Sequence, residues 1–398
     1  MNNKPIKPYE RVQLFSGGGS RFGYYLGSYA ALVEHDLKPD IIVGTCGGSL
    51  SAYLVNLAPD PKDLQALMYS RELYSVIKAI RHVSPDEANR RAKMRYMTHA
   101  LKRWHLSQRT SNGQKQRQAD SYARLLDELQ QLAMFRIDNE VQWLDELSSF
   151  ASIENGSSQP NASTPEIAII ASRLYQAPID GSSDEKLMLQ ELLFAPSRLA
   201  NLPSSVSDLA DEQLISPAHT FANGRIHQAV EIRTQWDFAS VVRASMADMY
   251  YLPPIHITEL GWCLGGVINL TPIELACQLG DSVFAETKAG YDSWLAVPAI
   301  QRVFGFDPNE RLAAVHGYQP MEVTSHTNTA SNNHQLHWLP FADNEQQLVG
   351  QNVQKRFNIK QMTIELIHAD YDGFVQQMQA QWKYGYQRTA DYIQQHNL

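Results

Sequence analysis

The chain has 398 residues, 43% of them apolar, and a formal net charge of -8. Such a composition describes a globular protein able to bury a core and argues against a general nucleic-acid binder. The length allows two or three domains, or one large α/β domain with insertions. Three cysteines (Cys46, Cys263 and Cys277) without paired spacing exclude a disulfide framework and a zinc site. The N-terminal MNNKPIKPYERVQ lacks the apolar centre of a secretion signal, and no apolar run approaches the roughly 20 residues that span a bilayer. The expectation is a soluble, cytoplasmic, reduced protein whose membrane contact, if any, is peripheral.

Arg11 to Phe15 reads as the first strand and ends in Ser16-Gly17-Gly18-Gly19-Ser20-Arg21, with a helix following over Gly23 to His35. Consecutive glycines between a strand and a helix leave backbone N–H groups free to point at an anion or a developing oxyanion. A dinucleotide loop fits poorly, because Phe22 stands at the last glycine position of GxGxxG. The next apolar run, Asp40 to Val43, reads as a buried strand. It leads into Gly44-Thr45-Cys46-Gly47-Gly48 and a small-residue helix over Ser49 to Leu57. Strand, Gly-x-nucleophile-x-Gly and helix form a nucleophile elbow, a turn so tight that Gly44 and Gly48 must flank the reactive side chain. Cys46 occupies the nucleophile position. The helix dipole and the unpaired N–H groups of the first turn favour its thiolate.

The stretch SGGGSRFGYYLGSYAALVEHDLKPDIIVGTCGGSLSAYL resembles the opening of the patatin-like phospholipase family. That resemblance implies an α/β lipid acyl hydrolase with a Ser–Asp dyad. It further implies an oxyanion hole from the amides around Gly17, Gly18 and Gly19, a nucleophile at Cys46, and Arg21 at the basic position of the motif.

From about 60 to 150 the sequence reads as a helical insertion. Lys78 to Arg117 carries eleven basic residues against only Asp86 and Glu87, with Met94, Met97, Leu101 and Trp104 on one helical stripe. This fits a basic amphipathic cap that rests on anionic lipid, or else a solvated basic face over ordinary packing. Leu125 to Leu147 reads as an amphipathic bundle helix, Ser148 to Pro165 as an exposed loop, Glu166 to Tyr175 as a buried parallel strand, and Asp180-Gly181 as a turn.

The segment from Val241 to Gly280 resembles a second family signature, in which a helix, a Pro-Pro turn and a hairpin present Asp-Gly-Gly. Leu264-Gly265-Gly266 stands in that place, with Asn269 and Pro272 matching the positions that follow. The dyad aspartate is therefore replaced by Leu264. Asp248 and Glu259 fall at positions the motif does not use for catalysis. Past about 300 the resemblance fades, and residues 301–398 read as a region packed on the core that ends in a helix from Tyr371 to His396. Its Phe374, Met378, Trp382 and Tyr386 share one stripe. His316, His326, His334, His337 and His368 are scattered without ligand spacing, and no metal, nucleotide, flavin or other cofactor is implied.

The expected fold is thus a patatin-like α/β sandwich over residues 1–300, with a mostly parallel central sheet, helices on both faces and a helical cap. A thiol attacks without a strong base, so cysteine and leucine at the two dyad positions are chemically compatible. Three functions stand open. The chain could be a thiol-based acyl hydrolase or acyltransferase, a pseudoenzyme that binds a lipid or acyl chain, or a scaffold for a protein partner.

Overall fold

The computed structural model describes residues 7–17, 19–83, 126, 129–130, 133–140, 142–151, 164–178, 185–201, 214–222, 224–248, 251–291, 296–319, 335–358 and 363–398. Strand β1 (Tyr9–Phe15) is buried from Val12 onward and β2 (Ile41–Thr45) along its whole length, as strands covered on both faces of a sheet are. Helix α1 (Gly23–Glu34) joins them, and α2 (Gly47–Leu57) follows β2 directly. After α3 (Pro61–Met68) and α4 (Arg71–Lys78), β3 (Ile80–His82) pairs antiparallel with β4 (Phe135–Ile137). The expectation of an unbroken helical insertion fails at this hairpin. The expected helix over 125–147 is likewise interrupted: among the described residues Leu126 and the pair at 129–130 are helical, and Phe135–Ile137 is strand β4. Alternating burial across Phe135, Arg136 and Ile137 is a strand signature, masked in the sequence by the leucines before it. Most of the expected basic cap, from residue 84 onward, lies outside the described residues, as does Asp180-Gly181. The expected loop after 148 begins instead with a short helix, α5 (Ser148–Ala151).

Strand β5 (Glu166–Pro178) organises the sheet. It continues longer than the sequence suggests, and it is parallel only to β2. On its other side it pairs antiparallel with β6 (Glu185–Phe194), which carries β7 (Glu231–Arg233) in parallel. Helix α6 (Phe238–Ser245) then leads to the hairpin of β8 (Ile255–Ile257) and β9 (Gly261–Leu264). Helix α7 (Ile273–Leu279) returns the chain to β10 (Gly280–Glu286), which lies parallel to β1. Helices α8 (Ala296–Phe304) and α9 (Pro308–His316) precede β11 (Gln335–Leu339), parallel to β10. The principal order is β11-β10-β1-β2-β5-β6-β7, a mostly parallel sheet with helices packed on it. Along β2, Ile42 joins one apolar cluster while Ile41 and Val43 join the other, so two cores lie on opposite faces.

The chain closes with α10 (Asn344–Gln347), the hairpin of β12 (Gln354–Asn358) and β13 (Thr363–Ile367), and α11 (Tyr371–His396). The boundaries of α11 follow from its ends: the Asp370 side chain accepts from the Gly373 amide at 2.9 Å, and Asn397 takes the left-handed conformation at φ 51. Asp370→Ala is expected to cost about 1 kcal/mol, measured as a lower denaturant midpoint. Helix α11 lies on α1 with its backbone close at Gly27 and Gly385. A Cβ on either would overlap the carbonyl of Trp382 or of Tyr24.

Candidate active site

The pairing along β5 brings the elbow and the dyad position together. Thr45, the last residue of β2, lies opposite Ile170, and Leu264, the last residue of β9, lies opposite Ser172. The two strands run in opposite directions along the same edge of β5, so their C-terminal ends meet head to head about 7 Å apart, two residues of strand. Cys46 leaves one end and Gly265-Gly266 the other. The remaining space is small: a Cβ on Gly266 would lie 3.1 Å from the Thr45 Cβ and 2.7 Å from the Ile170 carbonyl.

Cys46 adopts φ 50, ψ -122 as the first flanking residue of α2, a conformation that side-chain-bearing residues rarely take. Its amide donates to Ser245 Oγ at 2.8 Å, and Ser245 Oγ donates to the Ile170 carbonyl at 2.6 Å. The elbow is thereby tied to the C-terminal end of α6. Gly44 and Gly48 permit the turn. A Cβ on Gly44 would lie 2.9 Å from the Gly48 carbonyl, and one on Gly48 would run into the Phe15 carbonyl.

Of the glycine loop, Gly17 sits beside the nucleophile, since a Cβ there would lie 3.4 Å from the Cys46 Cβ. Gly18 lies outside the described residues. Gly19 is exposed at φ +56 with open space around it. The Gly17 carbonyl accepts from Lys288 Nζ at 2.6 Å, and Lys288 also pairs with the buried Glu286 at 2.9 Å. Glu286 in turn accepts from the hydroxyls of Tyr24, at 2.7 Å, and Tyr25. Arg21 points away from this centre to an exposed ion pair with Glu345 at 2.8 Å. At the basic segment, Arg81 pairs with Asp138 at 2.5 Å, and the Lys78 ammonium lies over the Tyr74 ring.

Leu264 is fully buried in the apolar core, its carbonyl accepting from Ser172 Oγ at 2.7 Å. It can take no part in proton transfer. Asp248, which the motif leaves unused, lies close by: a Cβ on Gly265 would be 2.9 Å from the Asp248 amide, and the Gly265 amide donates to the Ala247 carbonyl at 2.6 Å. Its Oδ1 accepts from the amides of Tyr251 at 2.9 Å and Leu252 at 3.2 Å. Burial pushes its carboxyl up to about 7, against the pull of those two amides and of Lys355 and Arg243. No periodicity or motif spacing points to this residue; only the strand register brings it here.

The thiol departs from the sequence expectation. Burial, and then the Asp248 charge, push Cys46 up to about 12, outweighing the Gly47 amide and Lys288 that pull it down. The helix terminus stabilises a thiolate by roughly 1 kcal/mol, too little to offset the desolvation of a charge at this half-buried position. Cys46 rests as a thiol.

Beside the elbow, Leu270, Tyr291, Phe306 and Leu312 help line an open recess whose cavity volume is about 10 Å³, room for one water. Asn269 instead has a structural role, donating to the buried Glu191 at 3.0 Å and accepting from Arg311 at 3.3 Å, while Arg311 is clamped by both oxygens of Glu274.

The family model for patatin-like phospholipase matches residues 14–277, about two thirds of the sequence. This chain belongs to the patatin-like phospholipase family. Proteins described as patatin-like phospholipase domain-containing, from two strains of Pyricularia oryzae and from Chaetomium globosum, are each 52% identical to it over 48 residues. Those matches span 12% of this chain and only 6% of each relative. Among solved structures, VipD from Legionella pneumophila aligns over 98% of this chain and 68% of its own, at 11% identity and a TM-score of 0.33. A likeness that distant leaves the family assignment resting on the sequence match. Lys288, Glu286 and Lys355 lie beyond the matched segment. Among the described residues, no helix is long and apolar enough to cross a membrane.

Proposed function

We propose that the chain is a lipid acyl-ester hydrolase or acyltransferase in which Cys46 is the nucleophile. The observation that carries this reading is the backbone of Cys46: a side-chain-bearing residue held at φ 50 on a strand-to-helix turn, with Gly17 against its Cβ. Strain of this kind costs about 1–3 kcal/mol and persists where the geometry is used. In this reading a lipid ester reaches Cys46 past Leu270 and Tyr291, which must part to admit its acyl chain. Its carbonyl oxygen is received at the glycine loop, and the Lys288 ammonium favours the negative charge that develops there. Contact with an anionic membrane through Lys78 to Arg117 would deliver the substrate, in a protein that works in the cytoplasm.

A second reading is favoured by Leu264 and by the protonated resting thiol. The chain would then keep the pocket to bind an acyl chain, or serve as a partner scaffold, without turnover.

Intact-protein mass spectrometry after incubation with an activated acyl ester separates the two. The catalytic reading expects one acyl group per chain on wild type and none on Cys46→Ala. Absence of any adduct on wild type, together with ester hydrolysis by the double variant Cys46→Ser, Leu264→Asp, would establish the binder instead.

A further inference from the structure

The proposed thiol chemistry lacks a proton acceptor at position 264, and the structure places a carboxyl next to that position from another element. We propose that Asp248, three residues past the end of α6, is the general acid–base partner of Cys46, and that Lys355 of the β12–β13 hairpin favours its charged form. This inference rests on the thiol reading above.

Two contacts fix Asp248 at the site. Ser245, three residues before it, holds the Cys46 amide, and the Asp248 backbone packs against Gly265, the residue after Leu264. The segment that follows α6 therefore brings the Asp248 backbone beside the gap between β2 and β9, at the residue after Leu264. Oδ1 is held by the Tyr251 and Leu252 amides, and Oδ2 takes no hydrogen bond among the described residues. That leaves one oxygen oriented by the backbone and the other available for a proton.

The charged groups around Asp248 come from three directions. Lys355, an exposed residue of the C-terminal hairpin, lays its ammonium 3.8 Å from the centre of the Tyr251 ring. Arg243, on α6 itself, is buried and already paired with Glu140 at 2.8 Å. Cys46 faces it from the elbow, with Lys288 beyond on the glycine-loop side. A base whose pKa lies near neutrality is well matched to accept a proton from a thiol that does not ionise by itself.

The thiol and the carboxyl share no hydrogen bond among the described residues, so in this proposal the proton passes between them through water. In acylation the S–H proton passes to the Asp248 carboxylate, Sγ bonds the ester carbon, and the C=O electron pair moves onto oxygen. Collapse breaks the C–O bond, and the departing alkoxide takes the proton from Asp248. In deacylation a water gives its proton to Asp248 and bonds the thioester carbon. The C–S bond breaks and Sγ regains the proton, leaving a free acid and an alcohol.

The test is the rate of single-turnover acylation by a p-nitrophenyl acyl ester, followed by intact mass between pH 5 and 9. Wild type should accelerate with rising pH and level off above a midpoint near 7. Asp248→Asn should lose that midpoint and acylate roughly 10²–10⁴-fold more slowly at pH 8. Removing the cation with Lys355→Met should raise the midpoint, slowing the pH 7 rate by about tenfold for each pH unit the midpoint moves, whereas Lys355→Arg should restore it. If Asp248→Asn acylates at the wild-type rate with the wild-type midpoint, the assignment is wrong although the thiol reading survives. Should Asp248→Asn fail to fold, an unmoved midpoint in Lys355→Met overturns the assignment by itself. No Cys46-dependent adduct on wild type at any pH would overturn the thiol reading beneath it.

Discussion

Gly48→Ala is expected to abolish acylation of Cys46 and to lower stability by about 3 kcal/mol. An alanine Cβ at this position would fall inside the Phe15 carbonyl and lie 2.6 Å from that of Ser16. Both obstacles are backbone, so no rotamer change relieves them; β1 and α2 must move apart. That movement separates the two groups the chemistry needs, because Gly17 follows β1 by two residues and Cys46 precedes Gly48 by two. Gly385→Ala makes a useful contrast. It meets the Tyr24 carbonyl just as directly and should destabilise by a similar amount, but the contact it opens is that of α1 with α11, not that of β1 with α2. Thermal unfolding of both variants, alongside acylation by the activated ester below their unfolding temperatures, checks the distinction. Equal loss of adduct in the two would mean that global loosening, rather than the register of the elbow against β1, controls the nucleophile.

That distinction also marks how much of the site is legible in the chain alone. The elbow is legible because its constraint is local: Gly44 and Gly48 are required by backbone contacts within one turn, and sequence spacing records such contacts. The long terminal helix from Tyr371 is legible through its period-3.6 stripe, and the hairpin that ends at Leu264 through its resemblance to the family signature. Asp248 is not. Its relation to Cys46 depends on β5 exchanging one neighbour, β2, for another, β9, within two residues of its length, and no local pattern encodes that exchange. Lys355 is further still, brought to Asp248 by a hairpin beyond the family segment. The charge state of Cys46 escapes the sequence because a helix terminus is visible there and burial is not. The apolar run of Glu166 to Tyr175 reports burial on both faces rather than strand direction. Parallel β2 satisfies that burial on one side, and antiparallel β6 and β9 satisfy it as well as a parallel neighbour would.

The buried carboxyl of Asp248 also sets an expected pH dependence of stability, large enough to measure without any substrate. Its pKa in the folded chain is about 7, against 3.8 for an unperturbed aspartate. Below about pH 4 both the folded and the unfolded chain hold the proton, and the group imposes no penalty. Between about 4 and 7 the unfolded chain releases its proton while the folded chain retains it, so wild-type stability falls as pH rises. Above 7 both states are ionised and the full penalty remains, on the order of 4 kcal/mol for a rise of that size. Asp248→Asn removes the charge and keeps an oxygen that can accept from the Tyr251 and Leu252 amides. The variant should therefore match wild type near pH 4 and exceed it increasingly up to pH 7, with a constant advantage above. Denaturant unfolding of both proteins at pH 4.5, 6 and 8 follows this directly, and a gap that stays the same at all three values would show that the carboxyl is not held neutral by its surroundings. The direction matters for function as much as for folding. A structural aspartate would sit where its charge is stabilised, but this one stays where ionisation costs stability, beside a strained nucleophile that needs a base.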